Sequence, residues 1–283
     1  MLIFQIIHNQ MWTYENKSSW LQYPMCSSGS RQSPINIETN NLKVNVSLAI
    51  EFIGYKQPVS NLKLINNGIT ATLLTDIYGD RLAIGGSALG NDIYNLGEIH
   101  LHWGPINSIG SEHSLNNHYS SAEVHFVHYN RRYGIIGDAQ SKLDGIVIVA
   151  APVRLSIQPN IEFNTIVESR PMITPFGATV GISKPIILDR LLPKNRKIFF
   201  LYNGSQTEPP CNENVRWIIL YDKIDMTNYQ INQFRNLFGK PVNGSTKSRI
   251  LFNRREKQSL NNRTVWVSIA DTEGLGITFG RRQ

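Results

Sequence analysis

The strongest constraint on this chain is a pair of short segments in which polar and apolar residues alternate. The first reads Glu98-Ile99-His100-Leu101-His102-Trp103-Gly104, and the second reads Glu123-Val124-His125-Phe126-Val127-His128. Alternation at period two is the pattern of a half-buried strand. Successive side chains of a strand point to opposite faces. His100 and His102 therefore share one face, and Ile99, Leu101 and Trp103 share the other. By the same rule Glu123 and His125 lie opposite Val124 and Phe126. Pairing of the two strands would bring three imidazoles to one point. Three neutral imidazoles with one position left open are the ligand set of a catalytic zinc site.

A lone buried histidine is more often a structural group, so the second segment matters. Each segment also carries a carboxylate two residues before a histidine, at Glu98 and Glu123. A ligand imidazole needs an acceptor on its other ring nitrogen to fix its tautomer, and a carboxylate commonly supplies it. The expected metal ligands are His100, His102 and His125, with Glu98 and Glu123 orienting them.

Around these segments the chain reads as one sheet-rich domain. From Ile35 to Ile93 short apolar runs are split by turn signals at Asn66-Asn67-Gly68, Tyr78-Gly79-Asp80 and Gly85-Gly86-Ser87, the punctuation of a strand meander. Leu143 to Val153 is almost unbroken apolar sequence and predicts a strand buried on both faces. Arg216–Tyr221 and Thr264–Ile269 read as further strands. Asn160 is placed to cap a helix running to Arg170. Thr227-x-x-Gln230 is a capping-box pattern, followed by Ile231, Phe234, Leu237 and Phe238 on one helical face up to Gly239. The fold class expected is mainly β (α+β): a single domain with a large, twisted, mostly antiparallel central sheet and a few surface helices. Residues 1–11 read as an N-terminal arm or the remnant of a signal peptide, and 12–283 as the domain.

Composition narrows the partners. With 283 residues, 41% of them hydrophobic and 17% charged, the chain can bury a large core and disorder is not the default. The formal net charge of +7 favours anionic partners in general. The basic pairs are scattered, however, at Arg131-Arg132, Lys194 to Lys197, Arg254-Arg255 and Arg281-Arg282. No nucleic-acid-binding module appears, and no apolar stretch is long enough for a transmembrane segment. Sequons at Asn16, Asn45, Asn203, Asn243 and Asn262 fit passage through a secretory route.

Further motifs carry a family resemblance. Ser33-Pro34-Ile35-Asn36-Ile37, His100-x-His102-Trp103-Gly104, Gly110-Ser111-Glu112-His113, Ala122-Glu123-x-His125-x-Val127-His128 and Gly204-Ser205-x-Thr207-x-Pro209-Pro210 resemble, in order, the α-class carbonic anhydrases. The resemblance implies that fold, a zinc cofactor, and reversible hydration of carbon dioxide to bicarbonate and a proton. It implies catalytic roles for Thr207, which orients the attacking oxygen, and for Glu112, which accepts from Thr207. Val127, Ile148, Val215 and Trp217 match the apolar substrate pocket. Tyr14 matches a residue of the ordered-water network, and His113 and His128 match structural histidines. Cys26 and Cys211, the two cysteines of the chain, match the pair that secreted members join as a disulfide. The implied localisation is secreted or extracellular, and cis bonds are implied before Pro34 and Pro210.

The departures are as informative as the matches. The family's proton-shuttle histidine follows an Asn-Asn-Gly-type turn, and here Ile69 follows Asn66-Asn67-Gly68. Isoleucine cannot carry a proton, so slowed proton transfer is expected. Glu98 stands where a neutral glutamine is usual, and Gln206 and Glu208 replace apolar and hydroxyl-bearing residues. A competing reading is a non-catalytic module that reuses the fold to bind anionic glycans or a cell surface. Retention of three ligand histidines speaks against it.

Overall fold

The computed structural model describes residues 12–75, 81–241 and 248–269. The expected arm over residues 1–11, the Tyr78-Gly79-Asp80 turn, the Asn243 sequon and the Arg281-Arg282 pair lie outside the described residues.

The strands that position the site are β1 (Leu42–Val44), β2 (Leu62–Asn66), β3 (Ala71–Thr75), β4 (Tyr94–Trp103), β5 (Ala122–Asn130), β6 (Ile146–Leu155), β7 (Thr179–Gly181), β8 (Phe199–Gly204), β9 (Val215–Leu220) and β10 (Val265–Val267). They follow one another in the order β7-β2-β3-β4-β5-β6-β9-β8-β10-β1, the main path of a 13-stranded sheet. Neighbours along this path are antiparallel except β6 with β9 and β10 with β1, which are parallel. The expected mostly antiparallel sheet is what the chain forms.

The apolar run that predicts a doubly buried strand is β6, which lies between β5 and β9 and is buried without interruption from Ile146 to Ala151. It starts later than the sequence suggests. Leu143 is exposed, because the chain turns just before the strand, with the Gly145 N–H donating to the Lys142 carbonyl at 3.1 Å.

Helices α1 (Ile161–Ser169) and α2 (Asn228–Phe234) cover one face of this sheet. The Asn160 side chain caps α1, accepting from the Glu162 and Phe163 N–H groups at 3.1 and 3.3 Å. Thr227 and Gln230 form the expected capping box of α2. That helix ends at Phe234 and does not run to Phe238. The Asn236 and Leu237 N–H groups bond three residues back, to Gln233 and Phe234, and Phe238 bridges to Arg249 instead. A cap is worth ~1 kcal/mol, whereas burying one Leu, Ile, Val or Phe is worth roughly 1.5–3 kcal/mol. Phe163, Ile166, Val167, Ile231 and Phe234 pack with Leu101, Trp103, Val124 and Phe126 of the sheet, so the shared core dominates the docking of both helices.

The opposite face carries a second core of Val127, Ile146, Ile148, Ala150, Val215, Trp217 and Ile219. At its edge the N-terminal segment is tied down. Cys26 and Cys211 form a disulfide, and the buried Arg255 guanidinium donates to Gln32 Oε1, the Ser33 carbonyl and the Cys26 carbonyl at 2.7–2.8 Å. The Ser33-Pro34 and Pro209-Pro210 bonds are both cis, as the resemblance implies.

Candidate metal centre

The centre follows from the register of three central strands. Antiparallel pairing of β4 with β5 sets His125 opposite His100, and Glu123 opposite His102. Side chains alternate along each strand, so all three histidines project from the same face of the sheet, with Ile99, Leu101, Val124 and Phe126 in the core behind. One cross-strand row runs Thr72, His100, His125, Ala150, Ile219; the next runs Glu98, Val127, Ile148, Trp217, Tyr202. A row of imidazoles thus lies beside a row of apolar side chains on one surface. The ring nitrogens available for ligation on His100, His102 and His125 lie within 4.8 Å of one another.

Hydrogen bonds decide which nitrogen of each ring is available. His102 Nδ1 lies 2.6 Å from the Asn253 carbonyl oxygen. A carbonyl only accepts, so Nδ1 holds the proton and Nε2 is left with a bare lone pair. His125 Nε2 lies 2.7 Å from Glu123 Oε1, which leaves Nδ1 bare. His100 Nδ1 lies 3.0 Å from Glu98 Oε1. Among the described residues, His102 Nε2 and His125 Nδ1 are buried and have no hydrogen-bond partner. Unpaired buried polar atoms are costly, and a cation held between them would satisfy both. Burial, aided by the neighbouring imidazoles, pushes His102 and His125 down to about 3, keeping them neutral as a ligand must be. For His100 burial acts the same way, but the hydrogen bond and charge of Glu98 outweigh it and raise the ring. The residues present fit a divalent cation bound by three imidazoles.

Glu123 is the anchor beneath. It is fully buried and receives three hydrogen bonds, from His125 Nε2, His113 Nδ1 and the His113 N–H, at 2.7–2.9 Å. Burial would raise its carboxyl, but the His113 charge and these bonds hold it well below the usual range. His113 passes on to the Tyr202 hydroxyl at 2.7 Å, and Tyr202 donates to Ser33 at 2.8 Å. His128 lies apart, 2.6 Å from the Tyr55 hydroxyl in a different buried setting. Neither His113 nor His128 belongs to the three-imidazole group.

Glu112 and Thr207 sit together at the centre. Glu112 Oε1 accepts from the Arg255 N–H at 2.8 Å and lies 3.7 Å from His102 Nδ1. Burial raises the Glu112 carboxyl, with His125, the Arg255 N–H and Thr207 acting the other way, and among the described residues Glu112 Oε2 is buried without a hydrogen-bond partner. Above them opens a cavity of about 440 Å³ lined by His100, His125, Thr207, Glu98 and Glu208 on one side and by Val127, Ile146 and Ile148 on the other. Val215 and Trp217 do not line it. They pack behind it, with the Trp217 ring 5.0 Å from that of His125 and its indole N–H donating to the Ser205 carbonyl at 2.9 Å. Ile69 is 4% exposed and packs against Trp12 and Tyr14. The Tyr14 hydroxyl is buried without a hydrogen bond among the described residues.

Two contributors escape reading from sequence. The Asn253 carbonyl orients His102 from 151 positions away, and the Arg255 N–H holds Glu112 from 143 positions away. Both act through main-chain groups, which leave no side-chain signature in the sequence.

Fold and site together define a sheet-centred protein with a three-histidine metal-binding centre at the base of an open cavity. The chain belongs to the eukaryotic-type carbonic anhydrase family, which it matches over residues 15–269. It is 31% identical to carbonic anhydrase 6 of Canis lupus familiaris, over 96% of this chain and 84% of that relative. It is 30% identical to carbonic anhydrase 6 of Homo sapiens, over 97% and 89%. It is also 32% identical to carbonic anhydrase 1 of Oryctolagus cuniculus, over 85% and 100%.

Proposed function

We propose that this protein is a zinc-dependent carbonic anhydrase, converting carbon dioxide and water to bicarbonate and a proton, and the reverse. The observation that carries the reading is the convergence of three imidazole lone pairs at the base of an open cavity beside Thr207 and Glu112. His100, His102 and His125 would hold the zinc, which when bound supplies a Lewis acid that lowers the pKa of a water at the position left open.

The rest of the chemistry falls to side chains. Glu112 Oε1 accepts from the Arg255 N–H, which leaves Oε2 open to a further donor, and in its ionised form the group can only accept. A Thr207 hydroxyl that donates to Glu112 would have its oxygen free to accept from, and so orient, a nucleophilic water. Val127 and Ile148, backed by Val215 and Trp217, form an apolar wall against which neutral carbon dioxide can rest without displacing hydrogen bonds. The proton released must leave by water, because Ile69 has no site for it. Glu98 and Glu123 hold their imidazoles in the right tautomer.

The Cys26–Cys211 bridge supports placement in an oxidising, secreted or extracellular setting. Among the described residues no helix is long and apolar enough to cross a membrane, and the sequon residues Asn16, Asn203 and Asn262 are exposed. A glycan-binding module has no observation in its favour and no use for the bare lone pairs. Stopped-flow hydration by the zinc-loaded and the chelator-stripped protein tests the activity. Stripping is expected to abolish hydration, and added zinc to restore it. A folded protein with one zinc per chain and no hydration above background would end this reading.

A further inference from the structure

Glu208 is a carboxylate for which the structure supplies no partner. It follows Thr207, lines the same cavity as His100 and His125, and is half-buried. Its backbone is fixed, since the Cys211 N–H donates to its carbonyl at 2.8 Å and Cys211 is held by the disulfide. Among the described residues its side chain forms no hydrogen bond or ion pair. Its oxygens are also outside the donor group that lies within 4.8 Å at the centre, so it flanks that group and does not extend it. A charge withdrawn from water and left unpaired is costly to keep.

The surroundings add to this negative field. Glu98 lines the same cavity and Glu112 lies beneath it, and both disfavour the ionised form of Glu208. Among the described residues that line the cavity there is no Lys or Arg. The chain as a whole carries a formal net charge of +7. Exposed charges of that kind are screened by salt within about a Debye length, whereas a charge inside a cavity is screened much less. An anion that enters the cavity to reach the centre therefore shares it with Glu208, in a medium of lower dielectric than water. Carbon dioxide, having no charge, does not.

We propose that Glu208 is a specificity-determining residue that makes the cavity discriminate against monovalent anions, bicarbonate included, in favour of the neutral gas. This rests on the activity argued above. It also assigns the residue a role distinct from that of Thr207: Thr207 orients a reacting oxygen, and Glu208 sets which charge can reside beside it. Burial pushes the Glu208 carboxyl up to about 7, with His100 acting against that and Glu98 and Glu112 with it, so the test belongs at pH 8.5, where the carboxyl is ionised.

Thiocyanate is the probe, titrated into the cobalt(II)-loaded protein and followed by the metal's visible absorption, which needs no turnover. Glu208→Gln is expected to tighten thiocyanate by roughly tenfold or more, the scale of one like charge removed at close range. Glu208→Asp, which keeps the charge, is expected to stay within about threefold of the parent on the same ground. Metal content of one per chain establishes that each variant is folded. An affinity unchanged in Glu208→Gln overturns the proposal, and so does a Glu208→Asp that behaves like Glu208→Gln, since shape would then be the cause. If the parent fails to hydrate carbon dioxide while thiocyanate affinity still depends on the charge at position 208, the activity reading falls and the anion barrier stands.

Discussion

The base of the cavity and its mouth are built on opposite principles. At the base, each imidazole is oriented by a hydrogen bond to one of its ring nitrogens. Two ring nitrogens are bonded to carboxylates and one to a main-chain carbonyl, and the opposite nitrogens converge. These side chains stand on β4 and β5, in the middle of the sheet, where neighbours on both sides fix the backbone. The mouth is the cluster that lends the cavity Trp12 and Tyr23, and it is held chiefly by contacts between aromatic rings. Trp12, Tyr14 and Trp20 meet edge-on or tilted at 5.1–5.6 Å and close over Ile69. The contrast teaches that the two halves of a hydration cycle are separable. In the activity proposed above, attack on carbon dioxide would depend on the base and disposal of the proton on the mouth, so one could be kept intact while the other is changed.

The largest effect expected is at the base. His125→Ala removes one of three donors and breaks the hydrogen bond to Glu123, so most of the metal should be lost, as elemental analysis of the purified variant would show. Full metal retention would mean that the three imidazoles are not the ligand set. Next comes Thr207→Val, which keeps the shape and removes the hydroxyl. Metal content should be unchanged, while turnover falls by about 10²–10³, the range for loss of one positioned hydrogen-bonding group. Turnover equal to the parent's would show that the base is not where the attacking oxygen is oriented.

How much of this was legible in sequence follows the same division. The imidazole row could be read because strand alternation is a local rule: His100, His102 and Glu98 are two residues apart, as are Glu123 and His125. The caps of α1 and α2 were legible for the same reason. Parallel pairing of β6 with β9 was not, because nothing local distinguishes it from antiparallel pairing. Nor was the position of Trp217, which shares a row with Val127 and Ile148 yet packs behind the cavity. The family resemblance marked Ile69 as lacking a proton carrier, but its burial under Trp12 and Tyr14 depends on a segment more than 50 positions earlier and is a tertiary fact.

That burial bears directly on the smallest effect. On the proposed activity, the proton released by the parent would reach buffer through water, so hydration turnover is expected to rise steeply with buffer concentration and then level off. An added general acid–base group typically contributes ~10²–10⁴-fold, and Ile69→His introduces one. The structure argues for far less. Asn66 and Asn67 side chains accept from the N–H groups of Gly68, Ile69 and Thr70 at 2.8–2.9 Å, fixing the turn and the direction of side chain 69. An imidazole placed there enters the aromatic cluster, where, among the described residues, the Tyr14 hydroxyl is buried without a hydrogen bond. Desolvation lowers the pKa of such a ring, making it a poor acceptor at neutral pH. We expect a gain at low buffer of no more than about tenfold, well short of the general acid–base range, with no change at saturating buffer. A second substitution that opens the cluster, Trp12→Ala, should enlarge the gain in Ile69→His by exposing the ring. A parent that already turns over fast in dilute buffer would show that another group carries the proton and that the mouth is not the slow half of the cycle.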